Sequence, residues 1–284
     1  MFKNVTVDIY GPVGLRKYVT TCLSLSRSPL IYRIVVHELI PRLDQYPDDW
    51  QSWSVDHELS EPALPQEKDY KRIEYDLETN CWPLHQDNVL SVRAVALKHR
   101  IPSYGYVVCE RDSPGKLDTV KLSEAGIMPG PIFGKLKSGQ SVVLESGAVL
   151  DPGDYLGPPV PGRRVAIMGD TCDTSELSNI VSRLDVLVHE ATMENKLHDK
   201  CVEFGHSTPD MAVDVAHSVG AETLILFHVS PRYRPISLTD QSNTHESAQI
   251  LLDQATDHVN NLANCDTKVL IAEDFTEFTV FKHK

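Results

Sequence analysis

The sequence has no Cys-x-x-Cys pair, no internal repeat, few basic residues for its length and no long apolar run. Its six cysteines, Cys22, Cys81, Cys109, Cys172, Cys201 and Cys265, are scattered, a pattern that predicts free thiols in a reducing, intracellular compartment, cytoplasmic or nuclear. The opening residues lack the charged and apolar regions of a signal peptide. The longest apolar runs, such as Thr223 to Phe227, fall far short of the roughly 20 residues a bilayer requires, so no membrane span is expected. Lys and Arg number 27 against 40 Asp and Glu, a net charge of −13. That balance excludes a protein coating nucleic acid through a general basic surface, and any such contact must be local.

What is present suits a folded enzyme. Hydrophobic residues make up 41% of the 284, charged residues 24% and aromatics 7%, ordinary for a globular chain and unlike the composition of disorder. Short β-branched runs alternate with helical patterns: a strand over Val5 to Ile9, a helix over Leu15 to Leu25 and a strand over Ile31 to Val36, a layered α/β arrangement. Met1 stands only a few residues before the first strand, which predicts either an edge strand or a truncated chain.

Residues 41 to 88 are polar and aperiodic, interrupted by Pro41, Pro47, Pro62, Pro65 and Pro83, and read as a surface excursion without identifiable chemistry. Strand character returns over 89 to 109. Residues 112 to 150 carry Pro114-Gly115 and GIMPGPIFGKLKSG, a spacing that predicts an extended arm rather than packed core. From residue 163 the pattern predicts strands at Val165 to Met168, Val186 to Val188, Thr223 to Phe227 and Lys268 to Ala272. It predicts helices at about Ser175 to Arg183, Thr192 to Glu203, Pro209 to Val219 and His245 to Leu262.

The chemistry gathers where the strands end. VAIMGDT runs into Asp170, VLVHEAT ends in His189 and Glu190, LILFHVSPRY reaches His228, and ALKHRIPSYGY places His99 after another apolar strand. Ligands of open α/β sheets collect at the carboxyl ends of strands, so these groups can converge on one crevice. His206 lies in GHSTPDM, where Ser207 or Thr208 can cap a helix beginning near Pro209. His, Asp and His are ligands that zinc accepts, and a hydrolytic zinc lowers the pKa of bound water to about 7, so metal-assisted hydrolysis is the expected reaction class.

Taken in order, LKHRIPSYGY, GIMPGPIFGKLKSG, MGDT, HEAT, GHSTP and FHVSPRY resemble ribonuclease Z, most closely its short form, over nearly the whole chain. The resemblance implies a single metallo-β-lactamase domain, an αββα sandwich of two mixed sheets with outer helices. It implies a zinc-dependent endoribonuclease that removes 3′ trailers from precursor tRNA and acts as a homodimer. By the same resemblance His99 binds one zinc, Asp170 bridges two and His228 binds the second, while Glu190 and His206 relay a proton to the departing ribose oxygen. The arm at 112–150 resembles a protruding exosite for tRNA, with Gly130, Pro131, Lys135 and Lys137 as contacts. Arg232 and Arg234 either hold the RNA 3′ end or are solvated surface charges.

The family's His-x-His-x-Asp-His loop does not occur in this sequence, nor does any His-x-His pair. With it go four of the family's zinc ligands, including the aspartate assigned as general base, and the fold is expected to lack its first strands. The family site holds two zinc ions; His99, Asp170 and His228 are expected to hold at most one. Two other readings stay open: an inert truncated product that binds tRNA or a full-length partner, and a different metallo-β-lactamase-fold phosphodiesterase.

Overall fold

The computed structural model describes residues 5–28, 30–50, 70–238 and 247–283; Pro62, Pro65, His57 and His245 lie outside them. The chain divides into two compact units, residues 1–108 with 164–279 and residues 109–163 with 280–284.

The first unit opens with strand β1 (Thr6–Pro12), helix α1 (Leu15–Ser26) and strand β2 (Arg33–Leu39), with β1 and β2 parallel in register from Thr6↔Arg33 to Pro12↔Leu39. A crossover helix between parallel strands is what the alternating pattern predicts. The turn into α1 places Gly14 at φ 96, a left-handed conformation that glycine adopts without strain. No side chain caps this helix locally; instead the buried Glu38 reaches across from β2, and its Oε1 accepts from the N–H groups of Gly14 (2.8 Å) and Arg16 (3.2 Å). A carboxylate there satisfies orphan donors and opposes the positive end of the helix dipole. Strand β3 (Arg72–Ile73) pairs with β2 and completes a three-stranded sheet.

Strands β4 (Trp82–Gln86), β5 (Leu90–Leu97) and β6 (Ser103–Glu110) follow. Here the reading of 41 to 88 as a surface excursion fails for its last part, residues 70–88, while residues 51–69 of that stretch lie outside the described residues. Trp82 is fully buried, pairs opposite Ala94, and donates its indole N–H to Ile40 O at 2.9 Å. Pro83 does not abolish the strand because β4 is a sheet edge with a register shift between Pro83 and His85, the kind of place that tolerates a missing donor. Trp82, Ala94, Ala96 and Tyr104 pack against Leu39, with Tyr10 and Ile73 beside them, so the two sheets of this unit meet face to face.

The second unit contains helices α2 (Thr119–Glu124) and α3 (Pro131–Lys137), the hairpin β7 (Val142–Val143) and β8 (Val149–Leu150), and helix α4 (Pro152–Tyr155). The spacing of Gly and Pro predicts an extended arm, but Leu122, Ile127, Leu136, Val142 and Leu150 form a core of their own. The punctuating residues make turns and helix starts: Pro131 opens α3, and Gly139 leaves it with φ +78. Its ends are joined, since Glu110 N donates to Arg163 O (2.8 Å) and Arg163 Nη2 reaches Glu110 Oε1 at 2.5 Å. That guanidinium holds the Glu110 carboxyl down at about 2.

Back in the first unit, β9 (Arg164–Ile167), β10 (Leu184–Glu190), helices α5 (His198–Glu203) and α6 (Pro209–Ser218), β11 (Ala221–Phe227), α7 (Gln249–Asn261) and β12 (Lys268–Ile271) complete the chain. The large sheet has seven strands in the order β12-β11-β10-β9-β6-β5-β4, parallel from β9 to β12 and antiparallel between β4 and β5. Helix α6 buries Ala212, Val213 and Ala216, and α7 buries Leu251, Ala255 and Val259, each a one-face stripe at helical spacing.

Two predicted helices are shorter than expected. Ser175–Asn179 is a single 3-10 turn. The helix predicted from Thr192 begins only at His198, after a 3-10 turn at Asn195–Leu197. The reason is local: Thr192 N donates to Ser207 O, and the single proton of the Thr192 hydroxyl is shared between the Glu190 carboxylate and His228 O, so this part of the chain is committed elsewhere. Among the described residues no helix is long and apolar enough to cross a membrane, and all six cysteines are free.

Candidate metal centre

Three of the chemical side chains are delivered by the turn after a strand, and the fourth, His206, by a loop between two helices. After β9 the chain turns through Gly169 to Asp170; a Cβ on Gly169 would stand 2.9 Å from Tyr104 O, so only glycine lets the backbone pass there. Ser103 Oγ anchors the turn by donating to Asp170 O at 2.8 Å. At the end of β11, His228 has a left-handed backbone (φ 53), uncommon for a non-glycine residue, and Thr192 Oγ1 holds its carbonyl at 3.0 Å. His99 follows β5, and His206 sits between α5 and α6.

These residues converge. One ligand atom each from His99, Asp170 and His206 lie within 4.8 Å of one another. His228 Nε2 is 3.4 Å from Asp170 Oδ2, and the His206 ring lies between those of His99 and His228, with centroids 5.1 and 5.3 Å away. Thus His206, expected from the resemblance as a proton relay, shares the cluster with all three expected ligands.

The outward-facing nitrogens decide what the cluster can do. His99 Nδ1 lies 2.7 Å from Gly205 O, and a carbonyl only accepts, so Nδ1 carries the proton and Nε2 presents a lone pair. His206 Nδ1 lies 3.0 Å from Glu190 Oε1, which imposes the same tautomer. Glu190 is fully buried, and its two oxygens also accept from the N–H groups of Thr171 (2.6 Å) and Ser207 (3.1 Å) and from the Thr192 hydroxyl. With four donors on it, Glu190 is itself held in place and in turn fixes the ring of His206. A carboxylate or carbonyl on the far nitrogen of an imidazole is the arrangement that orients histidine toward a metal. The donor set, two lone-pair imidazoles and a carboxylate with a third imidazole adjacent, fits a zinc ion.

His189 is not brought in. Strand alternation turns it to the opposite face from Glu190, where its Nδ1 donates to Glu190 O (2.8 Å) and Nε2 lies 3.4 Å from Thr174 Oγ1. Burial pushes its pKa below the usual 6.5. Arg232 and Arg234 are exposed just beyond His228; Gly130, Pro131, Lys135 and Lys137 are exposed on the second unit. The sequence reading missed Thr171, Thr192 and Ser207, which hold Glu190, and Gly205, which holds His99; the only sequence signal was their adjacency to the histidines and acids. It also missed a cavity of about 640 Å³ lined by His99, Lys98, Arg100 and Arg42, the last from the stretch considered chemically silent and paired with Glu176 at 2.7 Å.

No family model matches the sequence. Individual relatives do: human zinc phosphodiesterase ELAC protein 1 is 38% identical over 282 residues, 99% of this chain and 76% of the relative. The chain belongs to the ribonuclease Z family. A ribonuclease Z from Listeria welshimeri is 34% identical over 254 residues, covering 88% of this chain and 70% of its own. The solved structure of human tRNase Z, short form, superposes with a TM-score of 0.58 at 26% identity, over 97% of this chain and 68% of that one. The two-sheet architecture with outer helices is therefore the metallo-β-lactamase fold of this family, as the resemblance implied.

Proposed function

We propose that this chain is a zinc-dependent endoribonuclease of the precursor-tRNA 3′ end, with one metal ion held by His99, Asp170 and His206 and with His228 beside them. The observation that carries this reading is the pair of fixed tautomers: Gly205 O and the Glu190 carboxylate each engage Nδ1 of a histidine and leave Nε2 as the free ring nitrogen, and both side chains cluster with Asp170. When bound, zinc supplies Lewis acidity toward a phosphoryl oxygen and lowers the pKa of water. The chain's own groups do the rest. His228, at 3.4 Å from Asp170 and 43% exposed, is placed to donate to a phosphate oxygen, and the exposed Arg232 and Arg234 hold the RNA strand leading to it. The second unit, with Lys135 and Lys137 in the last turn of α3 and Gly130-Pro131 at its start, supports a role as the tRNA exosite.

One observation favours a second reading. Among the described residues the cluster has donors for one ion, whereas two-metal phosphodiester hydrolysis needs ligands for a pair. A chain that binds tRNA, or pairs with a full-length partner, without cutting fits a one-ion site as well. Zinc content of the purified chain, its oligomeric state by light scattering, and cleavage of a 3′-extended tRNA separate the two. Near one zinc per chain with specific release of the trailer supports the nuclease; zinc and tRNA binding without cleavage leaves the binding protein.

A further inference from the structure

Next to the metal centre, and sharing His228 with it, is a cavity of about 570 Å³ that the cluster does not use. Its walls are apolar and aromatic: Phe227, Val229, Tyr233 and Ile271, of which Tyr233, Val229 and Ile271 belong to one hydrophobic cluster with Leu251. Besides His228 and the Tyr233 hydroxyl, its polar side chains are Ser237 and two consecutive acids, Glu273 and Asp274. Glu273 Oε1 accepts from Ser237 N at 3.0 Å, which fixes the side chain and holds its carboxyl below the usual range.

Apolar walls of this size suit a flat ring, since a base stacks on apolar and aromatic surface whatever its identity. Two carboxylates repel a phosphate and accept hydrogen bonds without donating, so they select a ring edge that offers N–H groups. Exposed Arg232 and Arg234 flank the buried Tyr233 and suit the backbone instead. We propose that this cavity takes the base of the nucleotide whose phosphate sits at Asp170 and His228, and that Glu273 and Asp274 make it prefer an amino-bearing base over uracil. This rests on the RNA 3′-end reading above and adds a base preference to it.

The test uses the full chain and four fluorescent acceptor-stem RNA microhelices differing only in the unpaired 3′-terminal nucleotide, with a fifth carrying an abasic terminus. Fluorescence anisotropy should give a dissociation constant about fivefold or more higher for uridine than for adenosine, cytidine or guanosine, the scale of one net hydrogen bond, with the abasic end weakest. Glu273→Gln, whose amide oxygen still accepts from Ser237 and whose NH2 can meet a uracil carbonyl, should shrink the discrimination, and Asp274→Asn, at an exposed position, should do so without disturbing the fold. Equal affinity for all five ends, or discrimination unchanged in both variants, overturns the base pocket while leaving the RNA reading intact. Failure of every microhelix to bind overturns both.

Discussion

His206 Nδ1 and Glu190 Oε1 lie 3.0 Å apart, and the same carboxylate holds Thr171, Ser207 and Thr192. Replacing it with an amide turns an NH2 toward the backbone N–H of either Thr171 or Ser207, which only donate. Glu190→Gln is expected to weaken zinc binding about 10–100-fold, measured by titration against a competing chelator, while Glu190→Ala should also lower stability by about 3 kcal/mol or more, through buried donors left unpaired at about 1–3 kcal/mol each. Unchanged zinc affinity in Glu190→Gln would show that His206 is not a ligand.

Gly205 controls the other histidine. It has φ +77, and a Cβ there would stand 2.5 Å from His99 Nδ1. Gly205→Ala should therefore cost about 1–2 kcal/mol for the left-handed backbone, visible as a lower Tm. It should also reduce zinc affinity, because the ring must move off the carbonyl that sets its tautomer. A variant with wild-type zinc binding would refute the argument from His99.

His189 gives a pH signature. Its folded pKa lies below the usual 6.5 because burial penalises the imidazolium. Below about pH 6.5 the unfolded chain thus binds a proton that the folded chain refuses, and stability must fall as the pH drops. The stability difference between the native chain and His189→Asn, followed by chemical denaturation, is expected to move in the variant's favour between pH 7 and 5 on this argument. A difference independent of pH would mean that His189 titrates alike folded and unfolded.

Trp82 tests the correction to the sequence reading. Fully buried between the sheets, with its N–H on Ile40 O, it should cost about 3–5 kcal/mol when cut to alanine. Denaturant unfolding checks this, and a loss below about 1 kcal/mol would restore the surface assignment.

The strands and the positions of His99, Asp170 and His228 were legible because alternation and apolar runs are local signals, and a polar residue ending such a run stands out. Trp82 was not legible: its burial depends on Leu39 and Tyr104, far away in the chain. The region after Thr192 was misread because helical spacing competes there with side-chain bonds to Glu190 and His228 O. Pro131 and Gly139 signal turns correctly, but the apolar residues between such turns, Ile132, Phe133 and Leu136, build the core that the extended reading missed.

The chain leaves the large sheet at Glu110 and returns at Arg163, two residues already bonded to each other through backbone and side chain. What is inserted between them spans no gap, so its length is nearly free of closure cost to the sheet. Such a graft point lets the 109–163 unit be shortened, lengthened or exchanged while Asp170, His206 and His228 keep their places, so that the inserted unit and the cluster at the strand ends can change independently.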